Sequence, residues 1–152
     1  MKILMVGAKN SGKSNLAYNI FRQSDCGGIV CLPVFKDGRK IGSDAIRMDN
    51  KERIKFSRIK DYADFDGMKV GKYVISKEGI DFCINAIDEG IKRGKMVVID
   101  EFGILEKNKK GLYGAIKRAI ESENDIFLIL RKSLEKYFLK IFPYDFEIIY
   151  KE

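Results

Sequence analysis

A chain of 152 residues, 45% of them apolar, suits a single domain (1–152) with a real core, and two domains would be cramped. The formal charge of +7 favours polyanionic partners, a demand that nucleotides meet as well as nucleic acid does. Three cysteines (Cys26, Cys31, Cys83) with no CxxC, and no histidine at all, argue against a zinc site or a disulfide framework and for free thiols in a reducing cytoplasm.

No apolar run approaches membrane-spanning length, and the opening run is too short for a signal peptide. The expected location is cytoplasmic, with no membrane partner. Lys2-Ile3-Leu4-Met5-Val6 predicts a buried strand. Gly7-Ala8-Lys9-Asn10-Ser11-Gly12-Lys13-Ser14 follows and fits GxxxxGK[ST]. Leu16, Ala17, Ile20 and Phe21 then mark one face of a helix that starts near Lys13.

Asp25-Cys26-Gly27-Gly28 predicts a turn, and Ile29 to Val34 a strand whose Pro33 implies an edge or a bulge. Asp37-Gly38 is a hairpin signal, with Ile41 to Met48 as the return strand and a further short strand within 51–60. A β-rich insertion is thus expected between the first helix and residue 75. Asp61 to Gly71 predicts a loop, with Lys72 to Ile75 pairing locally. Ser76 predicts an N-cap for a helix whose inner face carries Ile80, Ile84, Ile87 and Ile91 and which ends at Gly94.

Lys95-Met96-Val97-Val98-Ile99-Asp100-Glu101 predicts a central parallel strand running into two carboxylates. A helix over 109–123, a strand over 125–130 and a helix over 133–142, stopped by Pro143, lead to a last strand at 146–150. This alternation implies an α/β fold, a mainly parallel sheet sandwiched by helices.

The glycine loop and the strand-tip acids make one chemical set. Gly7 and Gly12 permit backbone angles that a Cβ forbids, so loop N–H groups can turn inward on a polyphosphate. Lys13 reaches the β- and γ-phosphates and the Ser14 hydroxyl ligates Mg²⁺. In open α/β sheets ligands bind beyond the carboxyl ends of strands, which places Asp100 to hold the Mg²⁺ through water and Glu101 to orient or deprotonate an attacking water. Arg131, just past a strand end, is the candidate for a further cation over the γ-phosphate.

GAKNSGKS (7–14), the DGRKIG hairpin (37–42), VGKYVIS (70–76), VVIDEFGILE (97–106) and LRKS (130–133) together resemble the small nucleoside-triphosphatase family often called cancer-related nucleoside-triphosphatases, a branch of the P-loop NTPases. The resemblance implies a three-layer P-loop sandwich with a β-hairpin insertion after the first helix. It implies Mg²⁺-dependent hydrolysis of ATP, GTP and other nucleoside triphosphates to the diphosphate and phosphate. Carried over by position, residues 7–14 bind phosphate, Asp100 serves the metal and Glu101 serves catalysis. The chain departs from the family pattern at Leu130, where members usually have histidine, and at its end, where members often continue into an Asn-Arg segment.

Two other functions share these motifs. A small nucleotide or nucleoside kinase would use Glu101 on a substrate hydroxyl, but no arginine-rich lid is present. A nucleotide-dependent, nucleic-acid-binding switch would suit the charge. No helix-turn-helix or aromatic-interleaved basic motif supports it, and both Asn50-Lys51-Glu52-Arg53 and Asn108-Lys109-Lys110-Gly111 miss the NKxD of GTP-selective switches.

Overall fold

Alternate residues of the opening strand, β1 (Lys2–Gly7), leave opposite faces of a sheet, and both faces are apolar. Leu4 and Val6 are buried on one and Met5 on the other. Such a strand is stable only with helices on both sides. The computed structural model describes all 152 residues and shows that arrangement. β1 lies between β8 (Ile126–Arg131) and β9 (Glu147–Lys151) and runs parallel to both. β7 (Met96–Phe102) is parallel to β8 on its other side.

The sheet then changes character. β2 (Cys26–Lys36) begins parallel to β7 through Cys26–Gly28 and leaves it after Gly28. Its remainder pairs antiparallel with β3 (Arg39–Arg47), followed by β4 (Arg53–Ile59), β6 (Tyr73–Ser76) and β5 (Gly67–Val70), all antiparallel. The nine strands form one sheet in the order β5-β6-β4-β3-β2-β7-β8-β1-β9. With four parallel and four antiparallel pairings it is mixed: the parallel ones join β2, β7, β8, β1 and β9, and the antiparallel ones all fall between the first helix and Ser76, where a β-rich insertion was expected.

α1 (Lys13–Phe21) covers one face, packing Ala17 and the flanks of Tyr18 and Phe21 against Met5, Val30, Val98, Phe127 and Ile129. The other face carries α2 (Lys77–Lys92), the short α3 (Ile104–Lys107), α4 (Tyr113–Glu121) and α5 (Glu135–Ile141). The two cores are unequal, with 25 buried residues in the larger and eight in the one that includes Ala17 of α1. Ser76 caps α2 by accepting from the Gly79 N–H at 2.9 Å, a bond of about 1 kcal/mol. No helix is long and apolar enough to cross a membrane.

Three local expectations need correction. Cys26-Gly27-Gly28 is strand, not turn: the glycines are there because α2 and β7 crowd the backbone. A Cβ on Gly27 would stand 2.6 Å from the Gly90 Cα, and one on Gly28 would stand 2.0 Å from the Val98 carbonyl oxygen. The stretch read as loop at 61–71 contains β5, a largely exposed edge strand that buries too little to show a period. The helix expected over 109–123 is shorter, because 108–112 form a turn around the carboxylate of Glu106.

Candidate active site

Gly12, at φ 81°, ends the loop in the left-handed region, and α1 begins at Lys13 with no side-chain cap on its first amides. Those N–H groups and the positive end of the helix face an open cavity of ≈ 400 Å³. Gly7 serves space rather than angle. A Cβ there would meet the Lys151 carbonyl oxygen at 2.9 Å and the Ser11 Oγ at 3.0 Å, so the expected backbone role belongs to Gly12 alone of the two. Lys9, Asn10, Ser11, Gly12, Lys13 and Ser14 line the cavity; Gly7 and Ala8 sit behind it, against β9. The Lys13 ammonium donates to the Ala8 carbonyl at 2.6 Å, folding back over its own loop. Burial lowers its pKa, Asp100 opposes that, and Arg131, Lys151 and Lys40 lower it further.

Asp100 and Glu101 are consecutive on a strand, where side chains normally part to opposite faces. They share the cavity because β7 bulges between Ile99 and Phe102, with Glu101 at φ 77°. A left-handed non-glycine residue stores about 1–2 kcal/mol of strain, so the surrounding packing has to hold it. Ile99 and Phe102, on either side, both enter the larger core. Asp100 is buried and fully engaged. Its Oδ2 accepts from the Ser14 hydroxyl at 2.6 Å and the Cys31 N–H at 3.0 Å, and its Oδ1 accepts from the Glu101 N–H at 2.9 Å.

Burial raises the Asp100 pKa against those donors and Lys13. Glu101 is pushed up to about 8, first by burial and then by the neighbouring charges of Asp100 and Glu106, while Lys40 and Arg131 pull it down. Arg131 is exposed at the tip of β8, on the cavity rim.

Sequence reasoning missed the far wall. Cys31, Pro33 and Phe35 of β2 line the cavity with a period of two, the Cys31 thiol itself lying in the larger core, and Lys40 and Ser43 of β3 join them. The signal for Pro33 was present: the Cys31 N–H points at Asp100, so position 33 faces the same unpaired side, where a missing N–H costs nothing. Glu106, also unremarked, is buried and bridges the segment after the acids. It accepts from the Gly103 N–H at 2.8 Å and the Leu112 N–H at 2.9 Å. Glu106→Gln leaves one of those donors facing an NH₂ group. The expected result is a loss of about 1–3 kcal/mol, read as a lower urea midpoint with an unchanged slope.

The loop, helix start and acid pair converge on one cavity, and known proteins share the surrounding frame. The nucleoside-triphosphatase THEP1 of Thermococcus kodakarensis is 25% identical over 144 residues, covering 90% of this chain and 80% of that protein. The crystal structure of THEP1 from the hyperthermophile Aquifex aeolicus superposes with a TM-score of 0.76 at 19% identity, over 99% of this chain and 90% of that one. The solution structure of a human cancer-related nucleoside triphosphatase gives 0.68 at 18%, over 98% and 87%. A family model described as NTPase matches residues 2–149, almost end to end, and the chain belongs to that family.

Proposed function

We propose that this chain, acting as one domain, hydrolyses nucleoside triphosphates such as ATP and GTP to the diphosphate and phosphate with Mg²⁺. The observation that carries this reading is the 2.6 Å contact between Ser14 and Asp100 beside the uncapped start of α1. The relatives' name, nucleoside-triphosphatase, agrees with it.

The donor set fits Mg²⁺. A serine hydroxyl and a buried carboxylate are hard oxygens, and Mg²⁺ ordinarily takes one or two protein oxygens together with phosphates and water. When bound there, the ion would neutralise β- and γ-phosphate charge. The first amides of α1 bind the β-phosphate region, and Lys13 exchanges the Ala8 carbonyl for phosphate oxygens. Glu101 receives the proton of a water whose oxygen bonds to the γ-phosphorus as the bond to the bridging oxygen breaks, leaving the electron pair on the diphosphate. Glu101 has to be ionised for this. Burial is the larger cause of its raised pKa, and a cation held at Asp100 would offset the like-charge cause and so favour the base form. Arg131 supplies positive charge at the rim for the γ-phosphoryl oxygens.

Phosphate release measured on ATP, GTP, CTP and UTP, with and without Mg²⁺, tests the reading. All four are expected to turn over with Mg²⁺ and none without it. Failure of all four with Mg²⁺ present rejects the activity.

A further inference from the structure

We propose that Lys40 is a phosphoryl-contacting cation, delivered by the β2–β3 hairpin to the terminal phosphate from the wall opposite the glycine loop. This rests on the hydrolysis reading above and adds a residue to it. A regular β3 would not place Lys40 there. Residues 40 and 43 differ by three and should leave opposite faces of a strand. They share the cavity face because the β2–β3 register shifts between Val34 and Phe35. Phe35 then opposes Lys40, Val34 opposes Gly42, and Ile41 is left without a partner and buried. Gly42, at φ 157°, accommodates the bend where a Cβ would lie 1.9 Å from the Ser57 carbonyl oxygen. The bulge turns Lys40 towards the cavity that Glu101 also lines.

The lysine makes no salt bridge, although its charge is felt by the Glu101 carboxylate. Asp44, the acid nearest along β3, is held by Arg53 at 2.9 Å and by Arg58 at 2.6 Å. Lys40 is half-buried and lines the same cavity as Lys13 and Glu101. An ammonium partly withdrawn from water and unpaired gains most when an anion arrives between it and Lys13. The triphosphate end that Lys13 reaches is that anion. Lys40 moves no proton; it stabilises charge that grows on the phosphoryl oxygens and the leaving diphosphate. A lysine, as a compact point charge on a long stem, can follow those oxygens as the bond breaks.

The test compares wild type with Lys40→Met and Lys40→Arg. It reads kcat and KM for ATP with Mg²⁺, and the affinities for ADP alone and for ADP with aluminium fluoride, a mimic of the transferring phosphoryl group. Lys40→Met is expected to lower kcat about 10²-fold or more while KM changes by less than about threefold. It should bind ADP normally and lose the extra affinity that aluminium fluoride confers. Lys40→Arg, which keeps charge, should recover part of both. A Lys40→Met enzyme with wild-type kcat overturns the assignment. So does equal weakening of ADP and ADP–aluminium fluoride binding, the mark of a purely structural role. A wild-type protein that binds nucleotide but releases no phosphate would reject the hydrolysis reading itself, a result separable from either outcome.

Discussion

Lys13→Ala is expected to abolish phosphate release, lowering kcat/KM for ATP by about 10³-fold or more. Lys13 is the one cation carried on the phosphate loop's own helix start, and its ammonium already lies over the loop, 2.6 Å from the Ala8 carbonyl. Removing it deletes a charge that holds the bound triphosphate and holds the transition state more strongly still, so both KM and kcat should suffer. The fold should survive. α1 is anchored by Ala17, which is fully buried, with Tyr18 and Phe21 beside it, and Lys13 contributes nothing to that contact. Circular dichroism and the thermal midpoint of the variant separate the two effects. A variant that unfolds cooperatively as wild type does, yet keeps its turnover, would remove Lys13 from the mechanism.

Glu101→Gln should bind nucleotide and fail to turn it over, with kcat lower by about 10²–10⁴-fold. Glutamine has the size of the protonated acid and no charge, so it spares Asp100 a like-charged neighbour while losing the base. A stability signature accompanies this. The folded-state pKa of Glu101 is raised to about 8, so its favourable contribution is complete below the unfolded value and is lost as pH rises through 8. Without nucleotide, Glu101→Gln is therefore expected to be more stable than wild type at pH 9, with the advantage shrinking towards pH 4. Chemical denaturation at the two pH values, alongside single-turnover assays, checks both halves. Wild-type turnover in this variant would rule out the base assignment.

The elements that sequence made legible are those with one dominant signal. Gly12, Lys13 and Ser14 declare a glycine turn into a helix start by residue type at fixed spacing, and Met96 to Ile99 declare a covered strand by an unbroken apolar run. The acids at 100 and 101 were readable as residues but not as a pair facing one way, because a bulge has no residue code of its own. The same holds for Lys40: its direction depends on one unpaired residue at 41, which neither propensity nor alternation announces. Gly27 and Gly28 misled for a related reason. Glycine favours turns on average, and here it answers to backbone crowding between α2 and β7 that only the assembled sheet creates.

The unequal cores on the two faces bear on how the molecule breathes. A layer that shares eight buried residues with a single nine-residue helix has far less holding it than a layer that shares 25 with four. Partial opening should begin on that side, exposing the underside of Met5, Val30 and Phe127 while the rest stays intact. A ligand gripped at the mouth of α1 adds RT ln(1 + [L]/Kd), about 2.7 kcal/mol at a hundredfold excess over Kd, and most of it is felt where the resident structure is thinnest. Substrate then doubles as scaffolding: the lightest-built wall of the protein becomes firm only while there is work in hand.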